Sequence, residues 1–204
     1  MSLTDSQIED LCQRMNIPLG DICFKDELPE ELEFNKGYFI NLQDSVDQDG
    51  KPSPGTHWTF VQCRKYPNDK TECMYFDPYG VAPPENVKRV VKNTMKKQGL
   101  PYNTKDIQSL MNNACGFYCL AFAHFINASK FRSNNLFTDT ETFVGLFEDL
   151  NKSTDFKKNE YILKLFFRSE DPSLRKEIDV ITSDDTPGEL DGFKIPVDVK
   201  VLNK

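Results

Sequence analysis

The run CGFYCLAFAHFINAS, residues 115–129, most constrains the fold of this chain. It is long enough for a helix and apolar nearly all round, so it predicts a helix with no face left for water. At this length it is too short to span a bilayer. A buried helix must be wrapped, and the rest of the 204 residues supplies the wrapping.

The flanking segments alternate between helical and strand-like patterns. In TDSQIEDLCQRMN, Thr4 and Gln7 match a capping box, and Ile8, Leu11, Cys12 and Met15 follow at helical spacing. Residues 17–36 read as loop, with prolines and acids. GYFINLQD (37–44) reads as a strand and QDGKPSPG (48–55) as a loop. THWTFVQCRK (56–65) and ECMYFDPY (72–79) flank YPNDKT and predict a hairpin. ENVKRVVKNTMKK (85–97) predicts a helix with Val87, Val90, Val91 and Met95, or its neighbour Thr94, on one face. YNTKDIQ (102–108) is a short strand candidate, and 141–151 and 156–169 are two further helices. The whole predicts an α+β fold: a mostly antiparallel central sheet packed by helices. Residues 1–169 read as one domain. Residues 170–204, with nine acids and five bases around two β-like pieces, read as an acidic C-terminal extension.

Composition excludes several functions. A net charge of −7 argues against broad nucleic-acid binding. The local exception, KRVVKNTMKK with five basic residues in ten, reads as the solvated face of an amphipathic helix, the other reading being a contact for an acidic partner. Six cysteines are too few for a disulfide scaffold, and none is arranged with histidine at zinc spacing. Reduced thiols, no metal and no cofactor are expected. The N-terminus MSLTDSQIEDL lacks a signal-peptide pattern, which predicts a soluble, intracellular protein with no membrane contact and a monomer as the simplest state.

Two histidines and one cysteine then define a chemical question. Cys115 falls at the first turn of the buried helix, where unpaired N–H groups and the helix dipole favour thiolate. Gly116 beside it leaves space for another chain to approach closely. A thiol nucleophile works with a base, and only His57 and His124 exist. His124 lies nine residues along the same helix, roughly 13 Å away at helical rise, so it reads as a packed or surface histidine. That leaves His57. The hairpin brings Asp77 near it, where a carboxylate orients an imidazole and stabilises its charged form. Gln108, seven residues before Cys115, offers an amide that can donate to an oxyanion, with the Cys115 backbone N–H as a second donor. The bland readings are a buried cysteine, a strand histidine and a turn aspartate before proline.

His57-Trp58, then Asp77 in YFDPYG, then Gln108 and Cys115-Gly116 in the pattern Q-x6-C-G resemble the adenovirus maturation protease, adenain. The likeness extends to its relatives in giant viruses, virophages and Maverick-type transposons, and more widely to Ulp-type SUMO proteases. It covers residues 37 to 130, and DPYG with the six-residue gap favours the viral branch. The resemblance implies a papain-like cysteine endopeptidase fold with the catalytic cysteine at the N-terminus of a buried helix. It implies Cys115 as nucleophile, His57 as general base and acid, Asp77 as the orienting acid where adenain has glutamate, and Gln108 in the oxyanion hole. Trp58 is expected to pack beside the histidine, with Gly116 supporting the site. Implied substrates are virion precursor proteins, including capsid proteins, cut after small, glycine-type residues within the host cell and virion. The alternatives are a SUMO- or ubiquitin-like-modifier protease of the same fold, and an inactive relative serving as a binding module. Two family features find no counterpart: the cysteine that holds an activating peptide, and the basic character that accompanies activation by nucleic acid. No activator is carried over.

Overall fold

The computed structural model describes residues 3–110, 112–128, 132–150 and 155–167. The C-terminal extension expected at 170–204 lies outside these residues. In chain order the elements are α1 (Asp5–Arg14), β1 (Leu19–Phe24), β2 (Gly37–Asn41), β3 (Trp58–Lys65), β4 (Thr71–Phe76), α2 (Glu85–Met95), α3 (Cys115–Asn127), α4 (Leu136–Val144) and α5 (Asp155–Phe167).

The helix that dictates the fold is α3. From Cys115 to Ile126 every residue but His124 is buried. It packs with Trp58, Phe60, Met74 and Phe76 from one face of the sheet, and with α1, α4 and α5 in the same core. Phe122 stacks on Phe76 with ring centroids 4.3 Å apart and meets Phe60 edge-on at 5.8 Å. The alternate strand residues, Tyr38, Ile40, Val61, Cys63, Cys73 and Tyr75, face the other way and are covered by Val87, Val90, Val91 and Met95 of α2. The sheet is therefore buried on both faces, which is why β2 has no exposed residue and β3 only Lys65.

Strand order is β1-β2-β3-β4. The β3–β4 hairpin pairs Phe60 with Phe76 and Cys63 with Cys73, and β2–β3 is also antiparallel. Two expectations are corrected here. Residues 17–36 are not all loop: Leu19–Phe24 form β1, which pairs parallel with β2 and makes the sheet mixed. The strand escapes a sequence reading because it is a partly exposed edge with a register shift between Leu19 and Asp21, so only Cys23 in it is buried. Nor is 102–108 a strand. Tyr102 makes one isolated parallel bridge to Tyr75, and the chain then folds over the end of β4.

The helix caps follow the sequence. Thr4 and Gln7 form the reciprocal capping box of α1. The helix expected at 141–151 sits earlier, at Leu136–Val144. The Asn135 side chain accepts from the Thr138 amide at 3.0 Å, and Gly145 ends the helix. Leu146 and Phe147 are buried from turns beyond its end, which extends the apolar pattern past the helix itself. On α2 the basic residues lie on the solvent side: Lys88 pairs with Glu85 at 2.7 Å and Lys96 with Glu31. Among the described residues no helix is long and apolar enough to cross a membrane.

One charged pair lies inside. The Arg64 Nη1 donates to Asp139 Oδ2 at 2.9 Å, and its other nitrogen donates to the Ile126 carbonyl, tying β3 to α4 and to the end of α3. Both side chains are almost fully buried. Removing one partner strands a charge away from water. Asp139→Ala is therefore expected to cost about 3–5 kcal/mol in urea denaturation, and the double variant Arg64→Met, Asp139→Leu much less.

Candidate active site

The site assembles where the N-terminus of α3 meets the start of β3. Cys115 is the first residue of α3, 2% exposed, and the helix has no side-chain cap. The backbone of Trp58 docks between two thiols one turn apart. Its N–H donates to Cys115 Sγ at 3.4 Å, and its carbonyl accepts from Cys119 Sγ at 3.3 Å. The indole of Trp58 donates to the Leu3 carbonyl at 2.8 Å. A Cβ on Gly116 would lie 3.0 Å from Leu3 Cδ1, so its small size gives room to the segment just before α1.

His57 stands one residue before β3 rather than inside the strand. Asn41, at the end of β2, accepts from the Thr56 amide at 3.3 Å, and the His57 carbonyl accepts from the Leu42 amide at 3.0 Å. The imidazole Nε2 meets Asp77 Oδ1 at 2.8 Å, with the imidazole 14% and the carboxylate 1% exposed. Although β4 is the edge strand, Asp77 just past its end is buried. Asn103 clasps its main chain, accepting from the Asp77 N–H at 2.9 Å and donating to its carbonyl at 2.7 Å. The turn also folds back: Tyr79 N–H donates to Asp77 Oδ1 at 2.8 Å and Gly80 N–H to the Asp77 carbonyl at 2.8 Å. Asp77 is thus both the turn aspartate and the imidazole's partner.

Burial alone would push the imidazole down. The hydrogen bond to Asp77, the nearby Cys115 thiol and the negative charges of both outweigh it and hold His57 up at about 9. Nε2 is committed to Asp77, and Nδ1 is buried with no hydrogen-bond partner, free for a proton transfer. The ring is thus anchored on the carboxylate and protonated at neutral pH. His124 sits apart, its Nδ1 on the Met15 carbonyl at 3.2 Å and its basicity lowered by burial. It is half-buried, away from Cys115, as its place on the helix predicts.

Gln108 is buried in a loop, not at a strand end. The backbone N–H groups of Ile107 and Gln108 both donate to the Pro78 carbonyl. Its side-chain Nε2 donates to Tyr79 Oη at 3.2 Å and to the Asn112 carbonyl at 3.1 Å. It joins the histidine through Tyr79, whose ring stacks on the imidazole with centroids 4.5 Å apart. So Tyr79, and not Trp58, is the aromatic ring stacked on His57. Asn112 carries the other side of the loop: its Oδ1 accepts from the Ala114 amide at 3.2 Å, and its Nδ2 donates to Glu160 on α5 at 2.6 Å. Asn103, Asn112 and Tyr79 escaped the sequence reading. The first two act through backbone groups and leave no pattern. Tyr79 left a faint one, an aromatic placed between Asp-Pro and Gly.

A groove of about 510 Å³ lies elsewhere, beside the edge of β4 at Glu72–Met74, and includes none of these side chains. Among the described residues no group of three or more His, Cys, Asp or Glu could hold a metal ion. No family model matches the chain, and no curated protein does.

Proposed function

We propose that this protein is a cysteine endopeptidase. One observation carries the reading: an imidazole held 2.8 Å from a buried carboxylate stands directly before Trp58, whose N–H donates at 3.4 Å to a thiol at a helix N-terminus. The helix N-terminus, the Trp58 amide and the imidazolium all favour the thiolate of Cys115. The thiolate attacks the carbonyl carbon of a peptide bond, and the carbonyl electrons move onto its oxygen. The Cys115 backbone N–H and the Gln108 amide are the donors for that oxyanion, once Gln108 exchanges one of its present partners. As the intermediate collapses, the His57 imidazolium gives its proton to the departing amine. The now neutral ring takes a proton from water, which attacks the thioester. The acid product leaves, and the thiolate–imidazolium pair is restored. Asp77 holds the ring's orientation and stabilises its charged form throughout.

The adenain resemblance of His57-Trp58, Asp77 and Q-x6-C-G supports virion precursor proteins as substrates, cut after small residues inside the infected cell and the particle. The assembled thiol, imidazole and carboxylate favour an active enzyme over a binding module. Incubation with candidate virion proteins and sequencing of new N-termini tests the substrate class. Cleavage of a ubiquitin-like modifier fusion, with virion proteins left intact, would move the assignment to the modifier proteases.

The thiols themselves give a direct test. Burial pushes Cys12 and Cys23 up to about 12, and Cys73 and Cys119 well above the ordinary thiol value. At pH 7 a limiting dose of iodoacetamide is expected to label Cys115 first, read by peptide mass spectrometry. Equal labelling of all six cysteines would remove the basis for the nucleophile.

A further inference from the structure

We propose that Tyr79 is the positioning residue that joins the imidazole, its carboxylate and the Gln108 amide into one unit. The inference rests on the reading of Cys115 and His57 as a working pair and adds a residue to it.

Three separate parts of Tyr79 each hold a different group of the site. Its ring lies nearly parallel to the imidazole, with an interplanar angle of 20° and centroids 4.5 Å apart. Its backbone N–H donates to Asp77 Oδ1, the same oxygen that meets His57 Nε2. Its hydroxyl accepts from Gln108 Nε2 at 3.2 Å. The turn that presents it is rigid. Gly80 follows at φ +67°, and a Cβ there would lie 2.7 Å from the Thr104 carbonyl oxygen, so the backbone closes down on residues 104 and 105. The Pro78 carbonyl accepts two N–H groups from the Gln108 loop, which binds that loop to the same turn.

This answers a geometric need. One hydrogen bond to Asp77 fixes a single nitrogen of the ring, and rotation about the terminal side-chain bond of histidine is soft. A flat neighbour on the ring face removes that freedom and keeps the imidazole in one orientation. The hydroxyl does the same for Gln108, whose Oε1 is buried with no partner and so does nothing to fix the amide. Burial, with the charges of Cys115 and Asp77, pushes the phenol up, so the hydroxyl stays protonated through the working range.

Tyr79→Phe keeps the ring and removes the hydroxyl; Tyr79→Leu keeps bulk and removes the flat face; Tyr79→Ala removes both. The readout is the pH profile of Cys115 alkylation by iodoacetamide on the full chain, with steady-state cleavage alongside. Tyr79→Phe is expected to keep the parental alkylation profile. Its kcat falls about 3–10-fold with KM little changed, the loss of one hydrogen bond to Gln108. Tyr79→Leu and Tyr79→Ala are expected to shift the alkylation profile and to lower kcat by about 10²-fold, as for a misplaced catalytic group. A parental profile in Tyr79→Leu with melting temperature retained overturns the proposal, as does a shift in Tyr79→Phe equal to that in Tyr79→Leu. Alkylation reports the thiol–imidazole pair whether or not a peptide is cut. Absence of cleavage by the parent chain would therefore count against the peptidase reading alone.

Discussion

Cys115→Ala is expected to abolish peptide cleavage while leaving the fold in place. The thiol is the only group in the site able to form the acyl intermediate, and removal of a nucleophile from such a unit costs about 10⁶-fold in kcat. Alanine keeps the Cβ in the core and removes one sulfur atom, with the 3.4 Å bond that it accepts from the Trp58 amide. A melting temperature close to the parent's is therefore expected, together with complete loss of turnover. The same substitution should also be felt at the histidine. Cys115 is one of the two groups that raise His57 to about 9, through its nearness and its charge. In Cys115→Ala only Asp77 opposes burial, so the imidazole should titrate at lower pH, followed by NMR of the ring protons. Residual turnover in Cys115→Ala, or an unmoved His57 titration, would separate the thiol from the imidazole and sink the mechanism.

What could be read from the sequence was the part that physics makes local. The all-round apolar helix from Cys115 had to be central, and it is. The capping box at Thr4 and Gln7, and the Val87, Val90, Val91 face of α2, follow from spacing alone. The pairing of His57 with Asp77 was legible because a tight hairpin brings the start of one strand beside the end of the next. Elements defined by distant partners were not legible. β1 is a strand only because β2 lies beside it, and its exposed residues carry no alternation. The true start of α4 rests on Asn135, which an apolar pattern does not weigh, and its end was hidden by Leu146 and Phe147 packing from turns. In the site, Gln108 was found but its surroundings were not. The amide's place depends on Tyr79 and Asn112, and the latter on Glu160 of α5, 48 residues further along the chain. Likewise the Asn103 side chain holds Asp77 by its main-chain N–H and carbonyl, groups that every residue type carries, so nothing in the sequence signals the pairing. These polar links join segments that meet only after the core has formed.

Asp77→Asn is expected to leave the geometry almost unchanged and still lower kcat/KM by about 10⁴-fold at neutral pH, the size of effect seen on losing the charge behind a catalytic histidine. The amide oxygen of asparagine can accept from both His57 Nε2 and the Tyr79 N–H, as Oδ1 of the aspartate does now. What disappears is the negative charge. Burial, which pulls the imidazole down, is then opposed by Cys115 alone. The parent should lose kcat/KM above about pH 9, where His57 gives up the proton it must deliver to the leaving amine. In Asp77→Asn that alkaline limb should move to lower pH. Stability carries the same signature with a definite sign. The folded value of His57 is raised from 6.5 to about 9, so its contribution is fully present below pH 6.5 and is lost as pH rises through about 9. Urea denaturation of the parent at pH 6, 8 and 10 should show this decline, and Asp77→Asn should flatten it. An unchanged alkaline limb in Asp77→Asn would mean that the 2.8 Å contact between His57 and Asp77 does not set the charge of the ring, and the carboxylate would then be only the turn residue of its Asp-Pro-Tyr-Gly sequence.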